Sequence, residues 1–201
     1  MCKRCPWLDE SKPDYVEYHD KEWGVPVLDD KTMFEFLVLE SAQAGLSWYT
    51  ILKRREGYRN AFANFDVDKV ACFTKEDEAR LVIDSGIIRN RAKISATINN
   101  AKCYQEIQRE FGSFVNYIWG FVGNRVIVNQ WSSLEDYPAT SPVSDALSKD
   151  MKKRGFKFVG STILYAHLQA AGLINDHSVD CYRRQKIIDS YENLGLQWQD
   201  G

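Results

Sequence analysis

No apolar run in this chain is long enough to cross a bilayer. The opening residues, MCKRCPWLDE, contain no apolar targeting core, so the expected location is the cytoplasm. Cysteine is sparse and odd in number (Cys2, Cys5, Cys72, Cys103 and Cys181), which argues against a disulfide framework. Charge of one sign is not in excess. The 26 Lys and Arg nearly balance the 28 Asp and Glu, so net charge points to no nucleic-acid partner. Such a partner would need basic residues gathered on one face. Histidine occurs only three times, and repeats and low-complexity runs are missing. Strand alternation is also missing, except across residues 125–128, so the expected class is all-α. The 201 residues suffice for one full domain or two small lobes.

Residues 33–48, MFEFLVLESAQAGLSW, stand out from the rest. Asp29 and Asp30 are candidate N-caps and Gly45 is a stop. Between them the segment is apolar almost all the way round, the pattern of a buried helix. Glu40 lies inside that pattern, on the face of Phe36, Leu37 and Ala44. A carboxylate there is desolvated and needs a partner. With the Gly turn and Trp48 it describes a pocket for a flat polar ring. The alternative is a salt-bridged or half-exposed acid at a helix end. Glu35 falls on another face, toward Lys31 or solvent.

The segment before this helix is polar, aromatic and irregular, and Pro13 with its acidic neighbours argues against a long helix there. Further on, helices are expected over residues 47–62, 66–70, 78–84, 91–111, 113–121, 141–153 and 161–171. Residues 84–94, DSGIIRNRAKI, join two of them by a tight Gly turn with basic residues, the pattern of a helix–hairpin–helix. Turn amides can hold a phosphate, and Arg89, Arg91 and Lys93 add charge. The alternative is an ordinary helical corner with solvated basic side chains. Residues 152–160, KKRGFKFVG, form a second basic turn, and residues beyond Cys181 read as a polar tail, helical or disordered.

Cys5 and His19 lie near one end, and His177 and Cys181, at H-x3-C spacing, near the other. Two sulfurs and two imidazoles make a closed, tetrahedral structural zinc site. Such a site would staple the irregular first segment to the end of the fold, and with no open position it would activate no water. Cys2 competes with Cys5, since C-x-x-C is itself a ligand spacing. Cys72 and Cys103 read as small core residues, and His167, among Leu164 and Leu168, as a structural histidine.

Six segments, KRCPW (3–7), YHDKEWGVP (18–26), FLVLESAQAGLSWYTILKRRE (36–56), DSGIIRNRAKI (84–94), SDALSKDMKKRGFKFVGST (144–162) and AGLINDHSVDC (171–181), resemble the bacterial 3-methyladenine DNA glycosylase I family. The resemblance implies a helix–hairpin–helix DNA glycosylase fold over residues 1–181, with 182–201 as a tail. It implies one structural zinc carried by Cys5, His19, His177 and Cys181, joining the N- and C-terminal segments. The implied activity is hydrolysis of the N-glycosidic bond of 3-methyladenine in alkylated double-stranded DNA, leaving an abasic site without strand cleavage, by a monomer. Base recognition maps to Glu40, Tyr18 and Trp48, with Trp7 and Trp23 as pocket walls and Glu40 as the catalytic group. DNA contacts map to the hairpin, Gly86, Arg89, Arg91 and Lys93, and to Lys153 and Lys157, with Leu46 either a wedge beneath the flipped base or a packing residue. Lys93 is not expected to act as a Schiff-base nucleophile, nor Asp176 as general base. The rival reading is a zinc-stabilised, non-enzymatic DNA-binding module, which would bind DNA and release no base.

Overall fold

Asp29 opens the central helix, accepting the Thr32 N–H at 2.8 Å in a computed structural model that describes residues 3–201. This helix, α2 (Asp30–Gln43), buries every residue from Met33 to Ala42, as its all-round apolar pattern requires. Its first residue also builds the neighbouring helix. The Asp30 carboxylate accepts the Phe114 and Val115 N–H groups at 3.0 and 2.9 Å, capping α8 (Phe114–Gly120). The Tyr104 hydroxyl donates to the Asp30 carbonyl at 2.7 Å, drawing in the long α7 (Arg91–Phe111).

The remaining helices are α1 (Pro13–Lys21), α3 (Trp48–Leu52), α4 (Arg55–Ala61), α5 (Val67–Ala71), α6 (Lys75–Val82), α9 (Pro142–Lys153), α10 (Ser161–Ala170) and α11 (Tyr182–Ser190), of which α3 and α10 pack on α2. Pro13 does not prevent a helix. It occupies the first turn of α1, where its missing N–H costs nothing. The helix expected over 47–62 is two, because the chain turns at Lys53 and Arg54. Thr74 and Asp77 form a capping box on α6.

The fold is mostly helical, but it is not all-α. A small parallel sheet has the order β2-β1-β3, with β1 (Arg125–Val128) between β2 (Ile174–Asn175) and β3 (Gln197–Asp200). The tail therefore folds. Ile187 and Tyr191 are buried against the body, and β3 pairs with β1 although all four of its residues are exposed.

Two further expectations are corrected. Cys72 is exposed and stands outside the core, whereas Cys103 is half-buried and packs against it. Glu35 is buried, where its carboxylate accepts from Arg55 Nε at 2.6 Å and Arg59 Nη2 at 2.9 Å. Cys2 lies outside the described residues. Within them, no helix is long and apolar enough to cross a membrane.

α6 and α7 are joined across residues 83–90, where Gly86 donates to Asp84 Oδ1 at 2.7 Å and Asn90 caps α7 through the Lys93 N–H. Gly57 of α4 packs directly on this turn. A Cβ there would lie 2.1 Å from the Gly86 carbonyl oxygen, so only glycine allows the approach.

Candidate active site and metal centre

α1, α2, α3 and α10 converge on a cavity of about 270 Å³. Its walls include Trp7, Tyr15, Tyr18, Trp23 and Trp48, and Glu40, Gln43 and Gln169 reach it as polar groups. The Tyr18 and Trp48 rings stand 5.2 Å apart at 43°, and Trp7 meets Trp23 edge-on at 4.8 Å. The five expected base-pocket residues thus face one space. Tyr15, Gln43 and Gln169 are absent from the sequence-based set. Tyr15 and Gln43 did carry a signal, each lying one turn from an expected pocket residue, Tyr18 on α1 and Glu40 on α2, whereas Gln169 had no such mark.

Glu40 is 4% exposed. Among the described residues it has no ion pair and accepts no hydrogen bond, so burial alone pushes its carboxyl up to about 8. Burial of Tyr18 itself, and then the Glu40 charge, raise the Tyr18 hydroxyl well above the ordinary phenol range. The pocket therefore holds an acid whose charged form lacks a partner. A cation entering among the rings would supply one.

Cys5, His19, His177 and Cys181 are all buried, and their ligand atoms lie within 4.8 Å of one another. His177 Nδ1 is 3.3 Å from both sulfurs, and His19 Nε2 is 3.6 Å from Cys181 Sγ. Tetrahedral zinc, with ligand bonds of about 2.0–2.3 Å, spaces neighbouring donors by roughly 3.3–3.8 Å. The remaining ring nitrogens are also engaged: His19 Nδ1 donates to Asp20 Oδ1 at 2.8 Å and His177 Nε2 to the Trp23 carbonyl at 2.9 Å. These outer bonds leave His19 Nε2 and His177 Nδ1 to face the centre. Against the effect of its burial, hydrogen bonds from Arg4 and His19 hold the Asp20 carboxyl down at about 2. The centre adjoins the pocket, since the Trp23 ring lies 4.6 Å from His177 and Trp7 lies 5.3 Å from His19.

Leu46 is exposed just beyond Gly45, whose φ of +78° turns the chain out of α2. Arg89, Arg91, Lys153 and Lys157 are exposed, with Arg91 paired to Glu78 at 3.2 Å. Asn100 of α7 ties down the second basic turn, donating to the Lys157 carbonyl and accepting the Lys157 N–H, both at 2.8 Å. Lys93 is turned inward. Its ammonium donates to the Ala42 and Ala44 carbonyls at 2.8 and 2.6 Å, at the end of α2. His167 is fully buried, and burial pushes its imidazole down to about 3.

The model of one family, described as methyladenine glycosylase, matches residues 7–184. The chain belongs to the methyladenine glycosylase family. It is 51% identical over 179 residues to DNA-3-methyladenine glycosylase 1 of Escherichia coli (strain K12), covering 89% of this chain and 95% of that relative. Among solved structures, a crystal structure of 3-methyladenine DNA glycosylase I superposes with a TM-score of 0.87 at 47% identity, covering 90% of this chain and 98% of that one. Another, a point variant of 3-methyladenine DNA glycosylase I in complex with 3-methyladenine, superposes with a TM-score of 0.87 at 38% identity, covering 90% and 97%. The match to the methyladenine glycosylase model stops at residue 184, so most of α11 and all of β3 lie beyond it.

Proposed function

We infer that this methyladenine glycosylase is a DNA-repair enzyme that hydrolyses the N-glycosidic bond of 3-methyladenine in alkylated DNA. The observation that carries the reading at residue level is Glu40, a buried carboxylate with no partner in an aromatic cavity. Methylation at N3 gives the purine a positive charge and makes it a better leaving group. An enzyme that works on a base must first take it out of the stack, at a cost of a few kcal/mol.

In this reading the flipped ring stacks against Trp48, where a cationic π-system is favoured over a neutral one. Glu40 then loses its proton and accepts hydrogen bonds from the purine edge as a carboxylate. Normal adenine brings no charge, so it does not offset the cost of ionising Glu40. Tyr18 closes the pocket, and Trp7 and Trp23 form its floor next to the metal centre. The centre holds zinc through Cys5, His19, His177 and Cys181. Bound there, the ion supplies structural cross-linking and no reactive position, because all four sites are filled by protein.

The α6–turn–α7 unit acts as the DNA-binding hairpin, through Gly86, Arg89 and Arg91, with Lys153 and Lys157 on the second basic turn. Leu46 fills the space vacated by the base. Lys93 serves this surface by holding the end of α2. Residues 1–181 make up the glycosylase domain, which acts as a cytoplasmic monomer.

The test is incubation with methylated duplex DNA and chromatography of the released bases, with Glu40→Gln in parallel. Release of 3-methyladenine that falls at least 100-fold in the variant supports the reading. A folded protein that binds DNA and releases no base would instead be a binding module.

A further inference from the structure

We propose that Gln169 is a specificity-determining residue that reads the 6-position of the extruded purine, favouring a 6-amino group over a 6-oxo group. The proposal rests on the glycosylase reading above and sharpens it.

Gln169 lies on α10 one turn after Ala166, and both face the cavity that Glu40 lines. Its amide is not free to choose an orientation. Nε2 donates at 2.7 Å to Oδ2 of Asp176, which is fully buried. The same carboxylate accepts the Tyr165 hydroxyl at 2.5 Å and Asn129 Nδ2 at 2.6 Å. Tyr165 and Gln169 are four residues apart on α10, so both reach Asp176 from one helix face. A carboxylate oxygen accepts, so the amide must turn its nitrogen to Asp176. Rotating the amide would set two acceptor oxygens against each other in a buried site.

The remaining atom, Oε1, is therefore a fixed acceptor, and no donor reaches it among the described residues. A purine with an exocyclic 6-amino group can donate to it. A purine with a 6-oxo group brings a second acceptor, and the two oxygens repel. Glu40 responds to charge, which methylated adenine and methylated guanine share. Gln169 distinguishes groups at the 6-position, where they differ. The discrimination resembles that of any site built to bond a particular polar group, which rejects the analogue that leaves that atom unpaired once the ligand covers it.

The test uses two free bases, 3-methyladenine with a 6-amino group and 3-methylhypoxanthine with a 6-oxo group; the second also carries a ring N–H, whose effect on binding persists in a Gln169 variant while that of the 6-position does not. Binding at pH 7 is followed through fluorescence of the pocket tryptophans. The unmodified protein should bind the 6-amino base about tenfold more tightly or better. Gln169→Met keeps the length and removes the acceptor, and should bring the ratio to within about threefold. Tyr165→Phe, which removes a different donor to Asp176, should leave the ratio unchanged. Release of 3-methyladenine against 3-methylguanine from methylated DNA should shift in the same direction in Gln169→Met.

Equal binding of the two bases by the unmodified protein would overturn the proposal without any variant. So would a ratio that survives in Gln169→Met. A protein that neither binds nor releases 3-methyladenine would instead remove the glycosylase reading on which the proposal stands.

Discussion

Lys93 donates its ammonium to the Ala44 carbonyl at 2.6 Å, so the first turn of α7 closes the last turn of the helix that carries Glu40. A cation at a helix C-terminus satisfies carbonyls that have no intrahelical partner and opposes the helix dipole. The bond also links the basic turn to the acid in the pocket through one rigid element.

Lys93→Met should therefore behave as a stability variant. The expected loss is about 1–3 kcal/mol in urea unfolding. The salt dependence of DNA binding should keep its slope. Lys157→Met should show the reverse, with little change in stability and a slope smaller by about one. A flattened slope in Lys93→Met would return that residue to the phosphate-contacting set.

Glu40 makes stability depend on pH in an unusual direction. Burial raises its carboxyl from an ordinary 4.5 to about 8, so the folded chain holds a proton that the unfolded chain has released. Its contribution is full below about 4.5, is lost as pH rises, and is gone above about 8. Glu40→Gln removes this slope. Between pH 5 and 8.5 the variant should gain on the unmodified protein by an amount on the order of 3 kcal/mol. Parallel denaturation curves across that range would show that Glu40 is solvated or paired.

The same acid should shape the pH–rate profile. If the charged form holds the cationic base, base release at limiting substrate rises with pH toward about 8 and then levels. Glu40→Gln should lack the rising limb. A profile in which both proteins rise together would assign the limb to another group.

The metal centre predicts one zinc per chain by elemental analysis, and cobalt in its place should give the visible spectrum of a tetrahedral site with two sulfurs and two nitrogens. Cys181→Ala should lower the melting temperature by more than about 10 °C, because binding at such a site is folding free energy.

The tail reaches this centre through Asn175. Tyr191 accepts from Asn175 Nδ2 at 3.0 Å, and Asn175 Oδ1 accepts the His177 N–H at 3.2 Å. Tyr191→Phe should cost about 1 kcal/mol and hasten zinc loss to a chelator severalfold, while leaving base release intact. Unchanged zinc loss would confine the tail to packing.

What could be read in the sequence was what residue type and period mark. Glu40 showed because an acid in an apolar helix is out of place, and the four groups of the candidate metal centre because cysteine and histidine are scarce in this chain. Glu35 had the same residue type, but Arg55 and Arg59 reach it from α4, and helical spacing within α2 could not show them. β3 was hidden for another reason: its four exposed side chains bury nothing, so it carries no apolar alternation and is held by backbone pairing to β1. Gln169 was equally silent, because its orientation depends on Asp176 after a turn and a strand.

The four groups of the candidate metal centre stand at positions 5, 19, 177 and 181, and β1 waits for partners at 174–175 and 197–200. During synthesis, then, the first cysteine and histidine leave the ribosome well before the second pair exists. No local hairpin can close the sheet in the meantime, and such long-range closures form late. Until residue 181 has emerged, the nascent chain carries an incomplete Cys/His cluster. A metal ion that takes all four groups is captured only after residue 181 has emerged, so the first segment is pinned to the rest of the fold late.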